Sequence, residues 1–193
     1  MPEEVAPIRV ILPQGMVVLA GDDFLSSTIA SISTLSNGSG DFDLVTIPPG
    51  KISETDLEKL QDYSRILILG DQSVVSRDAE NELQGAEIKR IDTGSLYEDC
   101  WLYAAEIWQN GTSEVVLSGS QPADIFRAYE VARKAGSPII ICKGNVTENV
   151  NSVISQMTKR NAILSKALLV GKIGAEYTKP LQSAAIETEE VKA

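Results

Sequence analysis

Apolar residues along this chain alternate between two spacings. Short continuous runs of aliphatic and β-branched residues occur at 8–12, 16–20, 43–47, 65–69, 87–91, 113–118, 138–142 and 166–170. Runs of this length, apolar on successive positions, suit strands covered on both faces. Between them lie segments with helical spacing. In 95–109, Tyr97, Cys100, Trp101, Ala104, Ala105 and Trp108 fall on one stripe. In 124–135 the stripe is Ile125, Ala128, Tyr129 and Ala132, closed by Gly136 ahead of Ser137-Pro138; in 148–158 it is Val150, Val153, Ile154 and Met157. Segments 53–61 and 73–83 are shorter, and Ser53-Glu54-Thr55-Asp56 offers the first an N-cap with acids in its opening turn. Strands alternating with helices predict an α/β fold, with doubly wound, mostly parallel sheets carrying helices on both faces.

The pattern also repeats. Val17-Val18-Leu19-Ala20-Gly21 recurs as Val115-Val116-Leu117-Ser118-Gly119; the run at 43–47 has its counterpart at 138–142, and Arg65-Ile66-Leu67-Ile68-Leu69-Gly70 recurs as Lys166-Ala167-Leu168-Leu169-Val170-Gly171. The residues after Gly171 parallel the 73–83 helix, whereas 85–112 shows no second copy. Two pseudo-repeats are therefore expected, 1–93 and 94–186, joined by the long helix 95–109 and followed by a frayed acidic tail at 187–193.

Composition narrows the chemistry. The chain has 193 residues and a formal charge of −10, from 17 Lys and Arg against 27 Asp and Glu, and it contains no histidine. A basic face for nucleic acid is not expected at that charge. Without histidine, the Ser-His-Asp and Cys-His triads and His-ligated zinc are excluded. Cys100 and Cys142 read as buried small hydrophobes rather than a disulfide framework. No Walker-type or dinucleotide glycine loop occurs, and Asp41-Phe42-Asp43 follows a Gly/Ser/Asn loop as a solvated turn would. No catalytic group, metal or cofactor is expected. The acidic start, Met1-Pro2-Glu3-Glu4, lacks the basic region of an export signal, and no apolar run approaches the ~18 residues of a membrane span. The chain is thus expected in the cytoplasm, or at the cell surface if a leader has been removed.

The order of motifs resembles the type 2 cell-wall-binding repeat of Gram-positive surface proteins and their archaeal relatives. Ala20-Gly21-Asp22-Asp23-Phe24, and its second copy Ser118-Gly119-Ser120-Gln121 with Asp124, match that family's Ser-Gly-Glu-Asn-Phe-Pro-Asp motif. Ala135-Gly136-Ser137-Pro138-Ile139-Ile140-Ile141 matches its Gly-Ala-Pro-Ile-Leu-Leu strand. Ile66-Leu67-Ile68-Leu69-Gly70 with Ser76 matches its glycine turn, and Arg90-Ile91 with Tyr97 opens the long helix. The likeness spans roughly residues 16–183. Ser26 replaces the motif aspartate in the first copy, Pro122-Ala123 replaces Phe-Pro in the second, and Ser95-Leu96 replaces Asp-Arg. The resemblance implies a non-catalytic module that grips an anionic or polyhydroxylated envelope polymer or serves as an assembly scaffold. Because the family packs three repeats and this chain has two, it also implies a homo-oligomer. The alternative is a cytoplasmic protein binding a nucleotide or phosphorylated metabolite on the same scaffold.

Candidate site residues sit where strands end. Gly21, Asp22 and Asp23 follow one buried strand, and Gly70, Asp71 and Gln72 another; in parallel sheets such loops line the ligand crevice. Each set can equally make a tight turn and cap the next helix. Asp124 heads a helix, and Arg90 and Lys143 offer local positive charge near strand ends. Lys172 offers the same, and Gly171-Lys172-Ile173-Gly174 is a weak anion-binding turn. Of the aromatics, Tyr97, Trp101 and Trp108 belong to the core stripe, leaving Tyr103 free of it. The sequons at Asn37, Asn110 and Asn145 are read as chance.

Overall fold

A computed structural model describes residues 14–31, 42–108, 112–143 and 164–191. The run at 8–12, the helix at 148–158, the loop around Asp41 and the three sequon asparagines lie outside the described residues.

In the first repeat, β1 (Gln14–Gly21), β2 (Phe42–Ile47), β3 (Tyr63–Leu69) and β4 (Glu87–Ile91) form a parallel sheet in the order β2-β1-β3-β4. In the second, β5 (Glu114–Ser118), β6 (Ile139–Ile141), β7 (Lys166–Val170) and β8 (Glu187–Glu190) form a parallel sheet in the order β6-β5-β7-β8. The two orders are identical, so β1, β2, β3 and β4 correspond to β5, β6, β7 and β8. Register agrees: Leu19 pairs with Ile68, and Leu117 with Leu169. The doubly wound, two-repeat α/β fold expected from the periodicity is the fold observed.

The inner strands of each sheet are covered on both faces, which explains their continuous apolar runs. In β1, Met16, Val18 and Ala20 face a central cluster while Val17 and Leu19 face an outer one. The central cluster joins both sheets through α1 (Phe24–Ser31), α4 (Leu96–Ile107) and α5 (Pro122–Ala135). On the far side of the first sheet lie α2 (Glu54–Leu60) and α3 (Arg77–Glu82), which bury Leu60, Ala79 and Leu83. On the far side of the second, α6 (Ala175–Ser183) buries Tyr177 and Leu181 with Trp101 and Ala104 of α4. Helix α4 thus contributes to two clusters. That is why Tyr103, expected off the core stripe, is fully buried and donates to Ala30 O at 2.7 Å. Cys100 and Cys142 are buried free thiols; burial pushes the Cys100 thiol up to about 12.

Three elements differ from expectation. Helix α1 has a Ser- and Thr-rich sequence of weak helix formers, and its signal is local: Asp23 caps it, and Thr28 Oγ1 donates to Phe24 O at 2.6 Å. Helix α3 starts at Arg77 rather than Ser73, because Val74 and Val75 N–H both donate to Asp71 O in a preceding turn, and Ser76 Oγ then accepts from Ala79 N–H. The acidic segment expected to fray is instead β8, the counterpart of β4. Its backbone pairs with β7 while its glutamates stay in solvent, and Glu189 meets Lys166 Nζ at 2.5 Å. Among the described residues, no helix is long and apolar enough to cross a membrane.

Candidate functional site

In both sheets the chain departs in opposite directions from the central strand, β1 or β5, so a crevice opens at the carboxyl ends of β1 and β3 and of β5 and β7. Phe24, which opens α1, and Phe126, in the second turn of α5, lie with ring centroids 4.8 Å apart, so the two rims open side by side.

The two crevices are filled differently. In the second repeat the Asp124 carboxyl group lies over both Gly119 and Gly171; a Cβ on either glycine would come within 3.0 Å of it. Asp124 is therefore a filler of the crevice. In the first repeat the equivalent position is Ser26, whose shorter side chain is completely buried. Its Oγ has no hydrogen-bond partner of ordinary geometry among the described residues. The space is taken by Val74, within 3.3 Å of where a Cβ would sit on Gly21 and 3.1 Å for Gly70. Val74 corresponds in register to Ala175, so a larger residue on one wall offsets a smaller one on the other.

Above Val74 a cleft of about 410 Å³ remains, lined by Leu25 of α1, by Gly70, Asp71, Ser73 and Val74 after β3, by Asp92 and Gly94 after β4, and by Ser95, Leu96, Tyr97 and Asp99 at the start of α4. Its walls divide by chemistry. Leu25, Val74, Leu96 and Tyr97 supply apolar surface, while Asp71, Asp92 and Asp99 supply carboxylates.

Each carboxylate is fixed through one oxygen. Asp71 Oδ1 accepts from Ser73 N–H at 2.8 Å and from Ser73 Oγ at 2.5 Å, which holds its carboxyl below the usual range. Asp92 Oδ1 accepts from Gly94 N–H at 3.0 Å. Asp99 is 2% exposed and accepts from Thr93 N–H at 2.7 Å. Burial raises its pKa, the Thr93 hydrogen bonds oppose the shift, and the neighbouring Asp92 and Glu98 charges add to it.

Of the residues expected at the site, Gly70 and Asp71 line the cleft. Gly70 takes φ +107°, a conformation that favours glycine, and its N–H donates to Ile91 O. Gly21 ends β1 underneath. Asp22 is exposed and engages through its backbone N–H, which donates to Ile47 O at 2.9 Å. Asp23 caps α1, its Oδ1 accepting from the N–H groups of Leu25 (3.1 Å) and Ser26 (3.0 Å). Desolvation raises its pKa, but these bonds and the nearby Ser26 side chain outweigh that and lower it. Gln72 is exposed and outside the cleft lining.

Arg90 is a loop staple. Its guanidinium donates to Gly70 O at 2.8 Å, Asp71 O at 3.0 Å and Val75 O at 2.9 Å, and pairs with Glu80 at 2.6 Å. Lys143 places its ammonium 4.5 Å from the centroid of the Tyr97 ring, at the edge of the cleft. Lys172 belongs to the loop of the second repeat, where Gly174 is the N-cap of α6.

Sequence reasoning missed Asp92, Ser95 and Asp99; Tyr97, expected on the core stripe, packs against the central cluster and lines the cleft as well. The available signal was the polar turn Asp92-Thr93-Gly94-Ser95 between strand β4 and the aromatic-rich helix α4. In a doubly wound sheet such a turn sits at the ligand end.

No family model and no curated protein matches the chain. Solved structures do. Over 92% of its length the chain superposes on Cwp8 from Clostridium difficile, with a TM-score of 0.67 and 18% identity. Over 92% it also superposes on Cwp6 from the same organism, with a TM-score of 0.63 and 18% identity. The chain spans 31% of the Cwp8 chain and 28% of the Cwp6 chain. Its fold is that of a segment of these cell wall proteins.

Proposed function

We propose that the chain is a non-catalytic binding module of the cell-wall-protein type, holding a polyhydroxylated envelope polymer in the cleft above Val74. The observation that carries this reading is the cleft's composition. Carboxylates pinned through one oxygen keep acceptor capacity for hydroxyl donors, and Leu25, Leu96 and Tyr97 offer apolar surface to the C–H faces of sugar rings. The fold shared with Cwp8 and Cwp6 agrees with it. A binding role fits better than catalysis. The chain has no histidine, and Asp71, the carboxylate bonded to the Ser73 hydroxyl, is held at a lowered pKa that makes it a weak base.

The test is retention on immobilised, purified wall polymer, with soluble nucleotides and sugar phosphates as competitors. The parent protein should be retained, Tyr97→Ala should elute earlier, and the competitors should not displace it. Release by nucleotide, or equal retention of the parent and Tyr97→Ala, would refute the reading.

A further inference from the structure

We infer that the cleft selects an amine-bearing sugar unit and rejects anionic polymers and phosphorylated ligands. The inference rests on the proposed binding function and adds to it the charge of the ligand. Among the described residues the cleft lining contains Asp71, Asp92 and Asp99 and no cation. The cations nearby are already engaged. Arg90 bonds three carbonyls and Glu80 behind the loop, with 16% of its side chain exposed. Lys143 stands at the edge on the Tyr97 ring, one ammonium against three carboxylates.

The opening turn of α4 would ordinarily favour an anion through its unpaired N–H groups, but here it carries Glu98 and Asp99. The chain as a whole, at −10, adds repulsion for any polyanion. The same walls suit a protonated amino sugar: the ammonium meets carboxylates in charge-assisted hydrogen bonds, the hydroxyls meet the remaining acceptor positions, and the ring's C–H face meets Leu96 and Tyr97. Apolar surface beside the acids separates this ligand from a linear polyamine, which has no ring face to stack.

Calorimetric titration compares four probes: a glucosamine oligosaccharide with free amines, its N-acetylated counterpart, a polyuronate of equal length, and spermidine. The free-amine oligosaccharide should bind roughly tenfold more tightly than the acetylated one, and added salt should weaken it. Polyuronate should not bind detectably. Asp92→Asn, which keeps an oxygen for Gly94 N–H on an exposed loop, should remove most of the preference for the amine while its urea unfolding midpoint stays at the parent value. Asp71→Asn provides a second, independent variant.

Tighter binding of polyuronate, equal binding of the two oligosaccharides, spermidine matching the amino sugar, or an unchanged preference in both variants would each overturn the inference. A protein that binds wall polymer but prefers the anionic probe loses this inference and keeps the proposed function. A protein that binds no saccharide or wall polymer loses both.

Discussion

Replacing Gly171 by alanine tests how the second crevice is filled. Gly171 adopts φ +78°, and a Cβ there would overlap the carboxyl carbon and both oxygens of Asp124. Two costs follow, and they separate. The left-handed backbone costs alanine about 1–2 kcal/mol whatever its surroundings. The overlap adds about 1–3 kcal/mol, the usual cost of forcing atoms into a filled space. Gly171→Ala alone should therefore destabilise by about 3 kcal/mol. In an Asp124→Ala background the carboxyl group is gone and the backbone cost remains, about 1–2 kcal/mol. Asp124→Ala by itself loses an acid in the first turn of α5, worth under about 1 kcal/mol. Urea unfolding of the four proteins closes a double-mutant cycle, with an expected coupling of about 2 kcal/mol in which the second substitution relieves the first. Strictly additive costs, with coupling below about 0.5 kcal/mol, would refute the packing of Asp124 against Gly171.

Two further outcomes concern the first repeat. Arg90→Met removes donors to three carbonyls and the Glu80 pair, and should cost about 3 kcal/mol in urea unfolding, with Arg90→Lys recovering only part of it; a cost under about 0.5 kcal/mol would sink the staple role. Asp99 titrates in the opposite sense to a salt-bridged acid. Its folded pKa is raised, so the folded state binds the proton more tightly than the unfolded one, and the ionised group weighs against folding at neutral pH. That contribution is relieved as pH falls through the raised folded pKa towards the unfolded value. Asp99→Asn should be more stable relative to the parent at pH 7 than at pH 4, and a pH-independent difference between the two unfolding midpoints would contradict it.

The fold was largely legible because burial on both faces writes itself into consecutive residues. β1, β3, β5 and β7 are the inner strands, and their apolar runs matched across the repeats. β8 was illegible for the same reason. It is an edge strand whose side chains stay in solvent, so Glu187, Glu189 and Glu190 carry no burial signal, and only backbone pairing to β7 defines it. With β8 hidden, β4 had no visible partner and the second repeat looked shorter than the first. Helix α1 was missed because its Ser and Thr hydroxyls compete for backbone groups in any conformation. What settles it is the Asp23 cap and the burial of Ile29 and Ala30 against the sheet.

Of the residues expected at the strand ends, Gly70 and Asp71 line the candidate cleft and the others do not, and the cause is the divergence of the two copies. Motif comparison directs attention to what both repeats share, and at the strand ends they share glycines and capping acids, which shape the turns. The cleft instead arises where the repeats differ. The first repeat substitutes Ser26 for the carboxylate that fills the second crevice, seals the floor with Val74, and borrows its upper wall from the turn after β4 and the start of α4. Asp99 has no sequence signature that separates it from an ordinary acid in a first helical turn; its 2% exposure beside a cleft becomes visible only once α4 is seen packed between the sheets. Arg90 shows the converse. A cation at a strand end, in a motif that resembles a ligand-binding family, reads either as a binding charge or as the partner of a nearby carboxylate; in the structure it pairs with Glu80, and its carbonyl acceptors lie on the loop 15 to 20 residues earlier. By fixing that loop it sets where Gly70 and Asp71 stand, so its influence on binding passes through the shape of the cleft and leaves the cleft's own charge negative.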